Sequence, residues 1–382
     1  MKLAFFGPVL NHHQAPVADE LYKILGDDFK FIELSNCHDS KGCSEDFSIR
    51  PYLIRRNDST LAILHSIAKN ADVCVFAGYE ALPYQIERLK LGKLAFDMGE
   101  RWLKRGLINL LSPRIAAMVA SYHLRGWHKK PVYKLCCSAF AANDCNILGA
   151  YKGRCFKWGY FTKPHCVDVS TENADNIPVS IMWCARFLKL KHPEIVLEMA
   201  RKLKKKGYKF HLDMYGDEDS SMPQNMIFPK SNLVRMIDDF SLGDYVTLKG
   251  NQPNDKIIQA MRSSDIFLFT SDRNEGWGAV ANESMSCECT LVASDAIGSV
   301  PYLIEDGKTG LIFKDGNVNC LTDKVEWLLN NKDKMKEIGK SAAKSLRELW
   351  SPENAAISLL KLIYDIETGQ RTSILTGPCS QA

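Results

Sequence analysis

Nowhere in this chain do two cysteines stand at the C-x-x-C spacing, although it carries 13 of them. They fall as Cys136-Cys137, Cys287-x-Cys289 and scattered singles, which speaks against a zinc ribbon or a thioredoxin-type redox motif. The nearest approach to a metal set is Cys37-His38 with Cys43, in a polar loop. Missing too is any apolar run long enough to span a bilayer. The start, MKLAFFGPVLNHHQ, is broken by Asn11, His12, His13 and Gln14 and lacks a small-residue cleavage site, so it reads as a first strand and not a signal peptide. The expectation is a cytoplasmic protein whose thiols are reduced, mostly buried small hydrophobes. Excess charge is also lacking. A net charge of +4 is far from the concentrated basic charge of a nucleic-acid binder. After the first strand, Gly7-Pro-Val-Leu-Asn-His-His-Gln14 has no second glycine, which disfavours a dinucleotide-binding G-x-G-x-x-G fingerprint.

What is present points to two domains, since 382 residues exceed what one core usually holds. The most informative stretch runs from Asp265 to Phe313. A short β-branched and aromatic run, Ile266 to Phe269, reads as a buried strand. A polar loop, Ser271 to Gly278, leads into a helix pattern, and Leu291 to Ala293 repeats the sequence of strand, loop and helix at Gly298. This is the grammar of a parallel α/β sheet, whose ligands sit at the carboxyl ends of the strands. Glu275 and Glu283 flank the first loop, where Gly276 and Gly278 leave room for a ligand near the backbone. Carboxylates there can accept hydrogen bonds from a vicinal diol; the alternative is that both are helix-start acids complementing the dipole.

The element Glu275-Gly-Trp-Gly-Ala-Val-Ala-Asn-Glu283, followed by Gly298-Ser-Val-Pro and Asp306-Gly-Lys-Thr-Gly310, resembles family 4 of the retaining nucleotide-sugar glycosyltransferases. The resemblance is specific over the carboxyl-terminal half and looser over the amino-terminal half, where the Asn-His-His-Gln turn is similar to that of bacterial polysaccharide glycosyltransferases. It implies the GT-B fold, two doubly wound Rossmann-like domains facing each other across a cleft. The expected limits are 1–174 for an acceptor-side domain, joined by a returning helix at 352–370, and 175–351 for a donor domain. Residues 371–382 are expected to fray. A polar segment from Asp168 to Pro178 is the expected linker.

The same resemblance implies a retaining, metal-independent transfer of sugar from a nucleotide-diphosphate donor to a hydroxyl, with no cofactor. Arg186 and Lys191 fall where the family places the two cations that grip the diphosphate, although its lysine-glycine pair is Lys191-His192 here. Glu283 would hold the ribose and Glu275 would lie near the sugar hydroxyls. Gly276, Trp277, Gly278, Gly216, Gly298, Ser299 and Val300 would complete the donor site, the last three by offering free amides at a helix start. On the acceptor side, His12 and His13 either contact sugar or phosphate or are exposed polar residues. A histidine that many members carry after the fourth strand is replaced by Phe76-Ala-Gly-Tyr79, with Asp97 and Glu100 as substitutes.

From Arg101 to Lys134 there is no acidic residue, while Arg101, Lys104, Arg105, Arg114, Arg125, Lys129, Lys130 and Lys134 are basic. Trp102, Leu103, Leu107, Ile108, Leu110, Leu111 and Trp127 are interleaved. This is the pattern of a helix on an anionic membrane surface, or equally of a core-packing helix with a solvated basic face. The first would bring the protein to the inner face of a membrane and a glycan or lipid-linked acceptor. The alternatives to an enzyme of this kind are a non-catalytic nucleotide-sugar-binding scaffold and, within the same fold, a sugar-nucleotide epimerase or a phosphorylase.

Overall fold

The computed structural model describes residues 1–35, 47–165 and 178–382. Cys37, His38, Cys43 and all of the expected linker except Pro178 lie outside the described residues. The chain divides into two compact units, one formed by Met1–Lys163 with Leu349–Ala382 and the other by Pro164–Glu348.

The first unit alternates strands and helices: β1 (Leu3–Gly7), α1 (Ala15–Leu25), β2 (Phe29–Glu33), β3 (Leu53–Arg55), α2 (Leu61–Asn70), β4 (Val73–Ala77), α3 (Leu82–Lys90), β5 (Ala95–Gly99), α4 (Pro113–Leu124), β6 (Val132–Cys136), α5 (Ala141–Ile147) and β7 (Cys155–Lys157). Its strands form one parallel sheet in the order β3-β2-β1-β4-β5-β6-β7. Every residue of β1 and of β4 is buried, because helices cover both faces of such a sheet and leave no polar side to the strand. The runs Lys2 to Gly7, Phe29 to Leu34, Val73 to Ala77, Lys93 to Asp97 and Tyr133 to Cys136 read as strands from the sequence and locate β1, β2, β4, β5 (two residues early) and β6; β3 and β7, three residues each, are too short to show a period.

The second unit repeats the plan: β8 (Val179–Cys184), α6 (Pro193–Lys205), β9 (Phe210–Tyr215), α7 (Lys230–Asp239), β10 (Val246–Gly250), α8 (Asn254–Ser263), β11 (Ile266–Phe269), α9 (Val280–Ser286), β12 (Thr290–Ser294), α10 (Val300–Leu303), β13 (Leu311–Phe313), α11 (Val318–Asn330) and α12 (Lys332–Leu349). The parallel order is β10-β9-β8-β11-β12-β13. Here Ile266 stands opposite Ile181 on one side and Thr290 on the other. In helix α6, Ile195, Val196, Met199, Ala200 and Leu203 are buried while Lys202, Lys204 and Lys205 end the helix, where cations complement its dipole. The strand order reverses between β8 and β11, the switch point at which loops diverge and open a crevice.

A last helix, α13 (Pro352–Glu367), belongs to the first unit and packs on α1. Ser351-Pro352 reads from the sequence as a cap and a helix start, and the Ser351 hydroxyl accepts from the Asn354 amide at 3.1 Å while Pro352 opens the first turn.

The tail does not fray. Cys379 and Ser380 are buried, Lys157 N donates to Ser380 O at 2.8 Å, Cys379 N to Lys157 O at 2.7 Å and Ala382 N to Cys155 O at 3.0 Å. A composition rich in Ser, Thr, Gly and Pro signals an absence of regular structure, not an absence of partners, and here the partner is the edge of β7. Removing residues 377–382 is expected to uncover that edge. With three backbone hydrogen bonds and a buried thiol lost, the first unit should weaken by about 2–4 kcal/mol, read as a lower urea midpoint; an unchanged midpoint would show the tail contributes nothing.

Candidate active site

Two loops leave adjacent strands at the switch point of the second unit, 185–192 after β8 and 270–278 after β11. They are joined through the backbone by Asp272 N donating to Leu190 O at 2.9 Å. Thr270 Oγ1 donates to Lys191 O at 2.6 Å and is itself held by Trp183 Nε1 at 2.9 Å. The Lys191 ammonium meets the Glu275 carboxylate in a close ion pair, and Ser271 Oγ donates to the same carboxylate oxygen at 3.0 Å. Two residues expected in the site from sequence are therefore in direct contact, 84 positions apart in the chain.

Beside them His192 adopts a left-handed backbone, φ 49° and ψ 54°, at the start of α6. Its Nδ1 faces Glu194 Oε1 at 2.7 Å and its Nε2 faces Asp272 Oδ2 at 3.4 Å. The hydrogen bonds to Asp272 and Glu194 outweigh burial and raise the imidazole pKa to about 10. Burial pushes Asp272 up, but bonds from His192 and Asn274 prevail and hold it below its usual value.

Arg186 reaches outward, with its Nη1 on Asp219 Oδ2 at 2.9 Å. The sequence reading assigned no role to Asp219; the triplet Asp217-Glu218-Asp219 at the end of β9 was the available signal. Gly216, at the same strand end, has φ 128°, and a Cβ there would lie 1.9 Å from Ala185 O, so only glycine lets the two strand exits pass this closely. Gly278 has φ 79°, and a Cβ would strike the Phe269 ring at 2.2 Å. Glu283, in α9, is 7% exposed, and desolvation raises its pKa to about 7. Gly276 and Gly298 are buried beside the loops.

Some expected donor contacts are corrected. Trp277 is fully buried, with Nε1 donating to Asn282 Oδ1 at 2.8 Å and its ring 6.1 Å from that of Tyr302. Its side chain anchors the loop in the core and offers no ring to a ligand. The Val300 amide is taken by Ile297 O at 3.2 Å and Pro301 has no amide hydrogen, so neither offers a donor at the start of the four-residue α10. Ser299 is fully buried, and its hydroxyl has no hydrogen-bond partner among the described residues.

In the first unit, His12 and His13 follow β1 with ring centroids 3.7 Å apart. Burial lowers both pKa values, and the neighbouring His12 helps bring His13 to about 3, so His13 is a neutral ring. It stacks on Tyr160 at 5.7 Å, and Tyr160 Oη donates to Glu100 Oε1 at 2.9 Å. Tyr160 is thus a site candidate that sequence reading missed, joining two residues it had found. Asp97 is not available to an acceptor: it is 3% exposed, 3.1 Å from Lys134 Nζ and accepts from Tyr151 Oη at 2.8 Å.

The basic segment is not one helix. A 3₁₀ turn at Gly106–Leu111 precedes α4. Arg101 pairs with Asp144, Lys104 with Glu100 and Lys134 with Asp97, which removes three of the eight cations from the count of outward charges. Arg105, Arg114, Arg125 and Lys129 are exposed, and among them Leu107, Ile108, Leu111 and Leu124 are 56–86% exposed. Among the described residues no helix is long and apolar enough to cross a membrane.

The family described as glycosyl transferases of group 1 matches residues 172–345. Trehalose synthase of Thermococcus litoralis is 32% identical over 168 residues, 44% of this chain and 40% of that protein. D-inositol 3-phosphate glycosyltransferase of Paenarthrobacter aurescens is 26% identical over 179 residues, 47% of this chain and 42% of that one. The chain therefore spans less than half the length of these curated relatives. The crystal structure of Anabaena Alr3699/HepE in complex with UDP superposes with a TM-score of 0.72 over 97% of this chain and all of that one, at 15% identity. Such a likeness shows the fold, which is GT-B.

The raised pKa of Glu283 has a measurable consequence. A carboxyl that binds its proton more tightly when folded makes stability fall as pH rises from its ordinary 4.5 to about 7. At about 1.4 kcal/mol per pH unit the loss is on the order of 3 kcal/mol. Glu283→Gln should flatten the profile of unfolding midpoint against pH over that window; a variant profile parallel to the parent's would remove Glu283 as its source.

Proposed function

We propose that the chain, whose residues 172–345 match the glycosyl transferases of group 1, transfers a sugar from a nucleotide-diphosphate sugar to a hydroxyl acceptor, with retention of configuration and without a metal. The observation that carries this reading is the Lys191–Glu275 contact at the switch point of a doubly wound sheet, with Arg186 on the same loop as Lys191 and turned outward to Asp219. Arg186 and Lys191 bind the diphosphate and offset the charge that develops on it as the anomeric bond breaks, an electrostatic contribution that needs no covalent intermediate. The diphosphate takes Lys191 from Glu275 and Arg186 from Asp219, freeing Glu275 to accept from the sugar hydroxyls. Glu283, ionised, accepts from the ribose diol. UDP, which the Anabaena protein of the same fold binds, is the natural first probe.

On the first unit, His13 as a neutral ring, Tyr160 and Glu100 supply hydrogen bonds for an acceptor hydroxyl. The exposed leucines and isoleucine between Arg105 and Lys129 are the surface by which the protein meets an anionic membrane bearing a lipid-linked or polysaccharide acceptor. A scaffold that binds the nucleotide sugar without transferring it is the second reading, supported by Phe76-Ala-Gly-Tyr79 where the resemblance implies a histidine.

A thermal-shift panel of UDP, GDP, ADP and their sugars tests the donor site. One nucleotide at a hundred times its dissociation constant should stabilise the parent by about 2.7 kcal/mol, and this shift should vanish in Arg186→Ala and Lys191→Ala. No shift with any nucleotide would overturn the donor assignment. Binding without transfer or hydrolysis, across hydroxyl acceptors, would select the scaffold. Separately, Arg105, Arg114, Arg125 and Lys129 changed together to Gln should abolish sedimentation with anionic vesicles; unchanged sedimentation would remove the membrane role.

A further inference from the structure

His192, next to Lys191, is one of the few non-glycine residues with a left-handed backbone among the described residues, and the structure shows what holds a side chain there. The backbone at 192 is left-handed, a region that strains an ordinary residue and that glycine enters almost freely. A histidine placed there needs a compensating interaction, and it has two. Glu194, on α6, lies at 2.7 Å from one ring nitrogen, and Asp272, on the loop after β11, lies at 3.4 Å from the other. Both partners are acids, so both ring nitrogens carry protons. The ring spans the two loops that meet at the switch point and so adds an ionic tie to the backbone bond between Asp272 N and Leu190 O.

A third acid lies within reach of the charge on the ring. Asp315, after β13, has its pKa raised first by burial and then by the charge of Asp272, while His192 acts on it in the opposite sense. Asp295, after β12, bonds the Asp315 amide at 2.9 Å through its own carboxylate and adds to that field. Among these acids His192 is the bridging cation, next in sequence to Lys191, whose carbonyl is fixed by Thr270 and whose ammonium is fixed by Glu275.

We propose that His192 is a positioning residue: as an imidazolium bridging Glu194 and Asp272 it locks the 185–192 loop to the 270–278 loop and so sets where Lys191 meets the diphosphate of the donor. The ring itself touches no substrate. It acts by holding the neighbouring lysine within the narrow range of positions that productive charge stabilisation needs. This use of His192 rests on the donor-site reading of Arg186 and Lys191, while the lock itself does not.

The test has a part free of any ligand. In the unliganded protein the His192 ring protons, assigned by their loss in His192→Gly, should show no titration between pH 5 and 9, and Asp272→Asn should bring a midpoint into that range. A midpoint near 6.5 in the parent protein would overturn the lock. For the link to Lys191, calorimetry at pH 7.5 compares UDP with uridine. His192→Gly keeps the left-handed backbone without strain, and His192→Asn, which also tolerates it, serves if the glycine variant does not fold. Either should bind UDP about tenfold more weakly or worse and uridine as the parent does, because only the diphosphate senses Lys191. Equal UDP affinity in parent and variant, or an equal loss for uridine, would overturn the positioning role. A parent that binds no nucleoside diphosphate would instead overturn the donor-site reading, leaving the lock to be judged by its titration.

Discussion

The second unit depends on how closely two strand exits can approach each other. Where β8 ends and β9 ends, Ala185 O occupies the space a Cβ at position 216 would need, and only a glycine with φ 128° lets both chains pass. That approach directs the loop after β8 across the top of the sheet toward the loop after β11, so that Lys191 arrives at Glu275 and Asp272 N finds Leu190 O. Were the loop displaced by a few tenths of a nanometre, the ion pair, the Thr270 bond and the His192 bridge would all be lost together. The cations of the site are thus products of backbone packing before they are products of charge.

Local signals carried much of this into the sequence. Continuous apolar runs marked β1, β4 and β11 because strands buried on both faces have no polar side, and Ser351-Pro352 marked the start of α13 because a cap and a fixed φ act within a few residues. What could not be read depended on partners far along the chain. Asp97 reads as a strand-end acid open to a ligand until Lys134, its register neighbour on β6, and Tyr151 are placed on it. Trp277 sits in a glycine loop, where an aromatic is as apt to meet a ligand as the core, and only the Asn282 bond decides. The tail was misjudged for the same reason. Its composition reports what it does alone, and it is not alone.

The two units also differ in how charge is treated. In the first, Lys134 and Asp97 are sealed among aromatic rings, with Lys134 Nζ 4.8 Å from the Trp102 ring, and the pair is closed to exchange with a ligand. In the second, Arg186 is half exposed and its acid partner can be exchanged for another anion. A cation that is to receive a diphosphate must be held by a bond that can be replaced at modest cost, and that distinguishes Arg186 from Lys134 more clearly than residue type does.

The first unit is discontinuous: α13 and the strand-edge tail come from the far side of 185 intervening residues, Pro164 to Glu348. During synthesis the second unit has its whole chain available before the first does, although the first begins earlier. Its sheet would wait on the ribosome with the edge of β7 unpaired and the α1 surface uncovered, states that invite wrong pairing. A chain arranged this way reverses the usual order of maturation, because residues 349–382, made after the second unit, complete a unit begun before it.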